Sequence, residues 1–265
     1  MMYFGFENIC VRFGSKNVLK DLTLALSPGE FTVLIGQNGC GKSTLLRTVF
    51  QTVKPSSGQV VLNGRPLTAY SAAERAKKIA YLPQSANDMP DMEVAALVAC
   101  GRYPHTGIGH RLTERDREIV EDAMRVTGVA QLGCRKLATL SGGEYQRARL
   151  AMCVAQQPQI LILDEPTTHL DIGYQLEVLD LIRRLNRERG MTVLAVLHDL
   201  NHAARYADRI CAIRDGGLYA AGAPREVLTA PCLRELFGIR AEIGWDAEYD
   251  CPTVYAKPVA EEVHP

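Results

Sequence analysis

The chain has 265 residues, 47% of them hydrophobic and 23% charged, with 30 basic residues against 30 acidic ones. That supplies a large core for one domain, or for one domain with an insertion. Balanced charge gives no global basic excess for nucleic acid and no acidic solvating tail, and apolar runs such as "VAALVAC" are far too short to span a bilayer.

The opening "MMYFGFENICVRFGSK" lacks the basic start, long apolar stretch and small-residue cleavage site of a secretory signal, so a cytoplasmic location is expected. "YFGFENICVRF" and "VLKDLTLAL" read as antiparallel strands. "FTVLI" (31–35) reads as a short buried strand. It runs into "GQNGCGKST" (36–44), which fits G-x-x-x-x-G-K-[ST] between a strand and a helix. Gly36, Gly39 and Gly41 let the backbone wrap closely with amides pointing inward, and those amides and the helix start hold phosphates. Gln37, Asn38, Cys40 and Thr44 complete the loop. Lys42 would reach the β- and γ-phosphates, and the Ser43 hydroxyl would ligate Mg²⁺. The bland alternative, a glycine turn with a chance Lys-Ser, does not explain the strand before it and the helix after it.

Gln84, in "AYLPQSA", follows a short apolar run where the strand pattern stops. It reads as a solvated loop residue or as a link between the nucleotide and a helical insertion. From about 86 to 140 the pattern is helical, with "DMEVAALVACGR" and "LTERDREIVEDAMRVTGV", the second started by a Thr113–Asp116 capping box. "LSGGEYQ" then opens a helix with a second capping box, Ser141 with Glu144. Its glycines leave the first amides uncovered, which makes an anion site with no lysine of its own. The same features would also suit a capped helix that never meets a ligand.

"QILILD" (159–164) reads as a buried strand that puts Asp164 at the carboxyl edge of a sheet, as a Mg²⁺ ligand or a strand cap. Glu165 points elsewhere, which suits a base polarising an attacking water. Leu176, Leu179, Ile182 and Leu185 recur at helical spacing up to Gly190, placed as a helix stop. "TVLAVL" (192–197) is another buried strand and carries His198 at its end, either as a core-edge histidine or as a γ-phosphate contact. "ICAIRDGGLYAAG" suits a hairpin turning at Asp215-Gly216-Gly217. The eight cysteines form no C-x-x-C pair and read as reduced thiols, mostly buried. Cys40 is expected to stand out, because a thiol beside a helix start and Lys42 feels positive potential and reacts readily. A loop backbone that buries the sulfur would reverse that.

The order of motifs (phosphate loop, glutamine loop, "LSGGEYQ", "ILILDEPT", "THLD", "VLHD") resembles the ATP-binding cassette ATPases across nearly the whole chain. The resemblance implies an α/β fold: a P-loop NTPase cassette with a mixed β-sheet core, an N-terminal antiparallel β subdomain and an inserted helical subdomain at about 86–155, all in one domain over 1–265. It implies ATP as substrate and Mg²⁺ as cofactor. Gly36 to Thr44 hold phosphates and metal, Phe13 stacks on adenine, and Gln84 senses metal and water. Asp164 assists Mg²⁺, Glu165 is the base and His198 the switch histidine. It implies a head-to-tail homodimer in which Ser141, Gly142, Gly143 and the adjoining Glu144 complete the partner's site and Asp171 touches across the dimer.

Within that family "GRYPHTG" (101–107), "TTHLDIGYQLEVLDLI" and "ELFGI" look like the ATPase subunits of bacterial importers for iron–siderophore complexes, with haem and cobalamin importers as alternatives. The partners implied are a separate integral membrane permease, docked near residues 86–105, and indirectly a secreted or periplasmic binding protein. The location implied is peripheral, at the cytoplasmic face of the cell membrane, with no nucleic acid. A soluble cassette acting on nucleic acid or ribosomes is the competing class. The single cassette, the lack of a heptad run and the lack of basic excess weigh against it. A binding module with dead chemistry would not need Lys42, Glu165 and His198 together.

Overall fold

The computed structural model describes residues 1–84, 91–107 and 111–258. The first residues of the helical insertion expected from about 86 therefore lie outside the described residues, as do those of the docking surface expected at 86–105. The chain divides into two compact units, Met1–Leu67 with Ala195–Pro265, and Thr68–Leu194.

The first unit opens with β1 (Phe4–Phe13) and β2 (Lys16–Leu26), followed by β3 (Phe31–Ile35), α1 (Lys42–Val49), β4 (Ser57–Leu62) and β5 (Arg65–Pro66). β1 and β2 pair antiparallel, as their alternating pattern predicts, and the sheet runs β2-β1-β4-β5. Its core face carries Phe4, Phe6, Ile9 and Leu22, all fully buried. β3 is buried at every position, which fits a run that is apolar but for Thr32.

The second unit holds α2 (Ala72–Lys78), β6 (Ile79–Leu82), α3 (Val94–Cys100), α4 (Tyr103–Thr106), α5 (Glu114–Val126), α6 (Gly142–Ala155), β7 (Ile160–Asp164) and α7 (Ile172–Arg189). β6 and β7 pair parallel, Ile79 with Ile160 through Leu82 with Leu163. α5 starts on the expected capping box: the Thr113 hydroxyl accepts from Asp116 N while the Asp116 carboxylate accepts from Thr113 N. Arg102 ties this unit together from inside. Its guanidinium donates to Asp116 Oδ1 at 2.9 Å and to the Ala155 carbonyl at 2.7 Å, with both side chains under 10% exposed. α7 ends at Gly190 in the left-handed conformation. β8 (Thr192–Val196) comes next and carries the chain out of this unit.

The first unit resumes with α8 (Leu200–Tyr206), β9 (Arg209–Arg214), β10 (Gly217–Gly222), α9 (Pro224–Val227), α10 (Ala230–Phe237), β11 (Arg240–Asp246) and β12 (Cys251–Lys257). β9 lies parallel to β3 and antiparallel to β10, so this sheet is mixed. The β9–β10 turn falls at Asp215-Gly216, both at positive φ, as a tight hairpin requires. The β11–β12 hairpin is held to α8 by Asn201, whose side chain exchanges two hydrogen bonds with the Val254 backbone. No helix among the described residues is long and apolar enough to cross a membrane.

Candidate active site

Two groups of the residues singled out above can be built from the chain upward, one in each unit. In the first unit the buried strand β3 delivers the chain into the loop 36–41, and α1 starts at Lys42. Gly41 caps that helix at φ 111° with no side-chain hydrogen bond, so the first amides of α1 are covered by no side chain of the cap. A Cβ on Gly41 would stand 2.6 Å from the Leu19 side chain and 3.1 Å from the Val18 carbonyl. Only glycine allows β2 this close to the loop. The Lys42 ammonium turns back into the loop, donating to the carbonyls of Gly36 at 2.7 Å and Gln37 at 3.0 Å, and is 6% exposed. A buried cation held over a ring of backbone groups is an electropositive cradle for an anion.

A polar cavity of about 440 Å³ adjoins the loop, lined by Gln37, Asn38, Gly39 and Cys40 with Lys16 and Asn17 from the start of β2. Phe13 pairs with Lys16 across the β1–β2 hairpin and is 53% exposed. The aromatic is thus presented on the hairpin that lines the loop instead of being spent in the core. His198 follows Leu197, whose backbone N donates to Leu34 O at 3.4 Å, so the exposed histidine comes directly after a residue paired with the strand that feeds Gly36.

Cys40 departs from the expectation of a reactive thiol. It is only 9% exposed, and its sulfur accepts from Lys42 at 3.8 Å. The sulfur packs against Gly36, where a Cβ would stand 2.9 Å from it. Among the other cysteines, Cys134 is exposed, while burial pushes the thiols of Cys153 and Cys211 up to about 12.

In the second unit, β7 ends at Asp164, 4% exposed, whose Oδ2 accepts from the Tyr81 hydroxyl at 3.2 Å. The parallel pairing of β6 with β7 makes that contact, so the strand carrying Tyr81 also delivers Gln84. The Gln84 side chain donates to Glu165 Oε2 at 2.8 Å, and the Thr168 hydroxyl donates to the same oxygen at 3.1 Å. Glu165 itself sits at φ 52°, an uncommon conformation for a residue with a side chain. Two donors aim one carboxylate oxygen from a turn held in one shape.

α6 begins with the second capping box. Glu144 N donates to the Ser141 hydroxyl and Ser141 N donates to Glu144 Oε2 at 2.8 Å. That backbone hydrogen bond is the main cause holding the Glu144 carboxyl below its ordinary value. Glu144 is thus committed to capping. The start of α7 closes against this end. A Cβ on Gly143 would stand 2.5 Å from the Tyr174 ring, and one on Gly142 3.4 Å from Leu170. Asp171 is the N-cap of α7 and lies in the chain between those two contacts.

The pairing of Gln84 with Glu165 and the packing of residues 170–174 on Gly142-Gly143 were not legible from the sequence, because both join segments far apart in the chain. The register of the parallel strands is what reveals the first.

A family model for the ABC transporter matches residues 19–168. The ferric enterobactin transport ATP-binding protein FepC of Escherichia coli is 44% identical over 94% of this chain and 92% of its own. The iron(3+)-hydroxamate import ATP-binding protein FhuC of Bacillus subtilis is 41% identical over 93% of this chain and 91% of its own. Among solved structures, an inward-facing metal-chelate type ABC transporter superposes with a TM-score of 0.83 at 25% identity, over 96% of this chain and 97% of that one. With a phosphate loop, an acid-ended strand and a glycine-started helix in the positions that the fold gives them, this chain belongs to the ABC transporter family.

Proposed function

We propose that the chain is the ATP-hydrolysing subunit of an importer that draws an iron chelate of the siderophore type through a separate membrane permease. The observation that carries this reading is similarity over more than nine-tenths of the chain to ATP-binding subunits named for ferric siderophores.

The loop amides of residues 36–44 and Lys42 hold the phosphates of ATP, and Phe13 stacks on the base. Ser43, Asp164 and Gln84 offer a hydroxyl, a carboxylate and an amide oxygen. Such a hard oxygen set fits Mg²⁺. Held there, Mg²⁺ would supply charge neutralisation for the phosphates. Glu165, aimed by Gln84 and Thr168, takes a proton from the attacking water as it adds to the γ-phosphorus while the bond to the β–γ bridging oxygen breaks and ADP leaves. His198 donates to the γ-phosphate.

Ser141, Gly142 and Gly143 have anion-binding groups but no lysine, which fits a head-to-tail homodimer in which each copy completes the other's ATP site. Asp171 then contacts the partner. Closure on ATP and reopening after hydrolysis pass through the helical segment at about 86–155 to the permease, at the cytoplasmic face of the membrane. A binding protein outside the membrane delivers the cargo.

Cells lacking the chain, supplied in turn with ferric enterobactin, a ferric hydroxamate, haem and cobalamin, test the cargo. Loss of radiolabelled iron uptake from a siderophore, with haem and cobalamin uptake kept, is the expected result. A defect confined to haem or cobalamin would reassign the cargo.

A further inference from the structure

Gln84 and Glu165 each have a proline neighbour whose carbonyl faces α6. Pro83 precedes Gln84, and Pro166 follows Glu165. Gln146, 4% exposed, donates its side-chain amide to the Pro166 carbonyl at 2.6 Å. Arg149, three residues on and 7% exposed, donates through one guanidinium nitrogen to Gln146 Oε1 at 3.0 Å and through the other to the Pro83 carbonyl at 2.5 Å. The direct bond from Gln84 to Glu165 closes the ring. Every link lies in the second unit. One circuit therefore joins the helix that starts at the glycine pair, the glutamine loop and the turn that bears the base.

Two features set this apart from ordinary packing. A buried cation is costly to desolvate, and burial pushes the Arg149 pKa below its ordinary value. An apolar residue would fill the place at lower cost. The acceptors are also the carbonyls beside the two functional residues, on prolines whose φ is already fixed, so little slack remains between the guanidinium and either side chain. The planar fork of arginine spans two acceptors in fixed directions, which the point charge of lysine does not.

We infer that Arg149, acting through Gln146, is a positioning residue that holds Gln84 and Glu165 in register with each other and with the start of α6. This rests on the reading of Glu165 as the base. Movement of α6 at its glycine end is then transmitted to both sides of the Gln84–Glu165 contact at once.

The test is a double-mutant cycle in the full-length protein with Mg-ATP, using Arg149→Met, Arg149→Lys, Gln84→Ala, the Arg149→Met/Gln84→Ala pair and Glu165→Gln. Nucleotide affinity and melting temperature are measured alongside kcat and KM. Arg149→Met is expected to lower kcat about 10- to 100-fold, as loss of a supporting shell does, with KM changed by less than about threefold. In the Gln84→Ala background the same change should cost less than about twofold more, because the two act through one contact. Arg149→Lys should fall between Arg149→Met and wild type, and it decides the matter if the methionine variant does not fold. Wild-type kcat in either Arg149 variant overturns the inference, as does an effect that multiplies in full with that of Gln84→Ala. Slow turnover in Glu165→Gln with normal Arg149 variants sinks this inference alone. Normal turnover in Glu165→Gln sinks the reading beneath it.

Discussion

Replacing Arg102 by methionine keeps the length of the side chain and removes its charge. The guanidinium supplies a 2.9 Å bond to Asp116, a 2.7 Å bond to the last carbonyl of α6 and a 3.1 Å bond to the Gln157 side chain. Breaking a buried pair from one side costs about 3–5 kcal/mol when the remaining charge has nothing else. Here Asp116 keeps its bonds from the Thr113 backbone and hydroxyl, which brings the cost down to or just below the bottom of that range, about 2–3 kcal/mol. For a chain of this size that lowers the melting temperature by roughly 5–10 °C. Thr113 first, and Arg102 after it, hold the Asp116 carboxyl below its ordinary value. A depressed carboxyl contributes stability above its unfolded value of about 3.9 and loses it as pH falls through the folded value. The gap between variant and wild type should thus be full at neutral pH and narrow below about pH 4. Scanning calorimetry of both proteins at neutral and acid pH measures this. A neutral-pH loss under about 1 kcal/mol, or a gap that widens in acid, would show that the Arg102–Asp116 pair does not hold this unit together.

Lys42→Ala should weaken ATP binding itself, seen by titration with a fluorescent nucleotide, and unchanged affinity would remove the lysine from the phosphate site. Ser141→Arg should leave ATP binding by the isolated chain nearly intact while abolishing ATP-dependent dimerisation in light scattering; a dimer that still forms counts against a shared site. Brief maleimide labelling at neutral pH followed by peptide mapping should mark the exposed Cys134 before Cys40, with Cys153 and Cys211 last because burial holds both as thiols. Label at Cys40 first would show that the loop opens more readily than its packing implies.

The elements that the sequence defines best are those whose signal is local. β3 falls on residues 31–35 as read, β7 and β8 differ from "QILILD" and "TVLAVL" by one terminal residue, and both capping boxes form as spelled. The phosphate loop, Asp164 and the glycine pair are legible for the same reason, since each is a strand end or a helix start. What the sequence hides is non-local. The β11–β12 hairpin has no turn signature of the Asp-Gly kind, and it is fixed by Asn201 from a distant helix. The burial of Cys40 depends on the path of a loop backbone. The Arg149 circuit joins two carbonyls, and carbonyls leave no trace in residue type.

In the proposed function this chain hydrolyses ATP with Glu165 as base. Glu165→Gln is nearly isosteric and keeps a side chain that Gln84 and Thr168 can still meet. Its kcat for Mg-ATP, measured beside wild type with nucleotide affinity as control, should fall roughly 10²–10⁴-fold while ATP still binds and traps a dimer. Turnover close to wild type would remove Glu165 from the role of base.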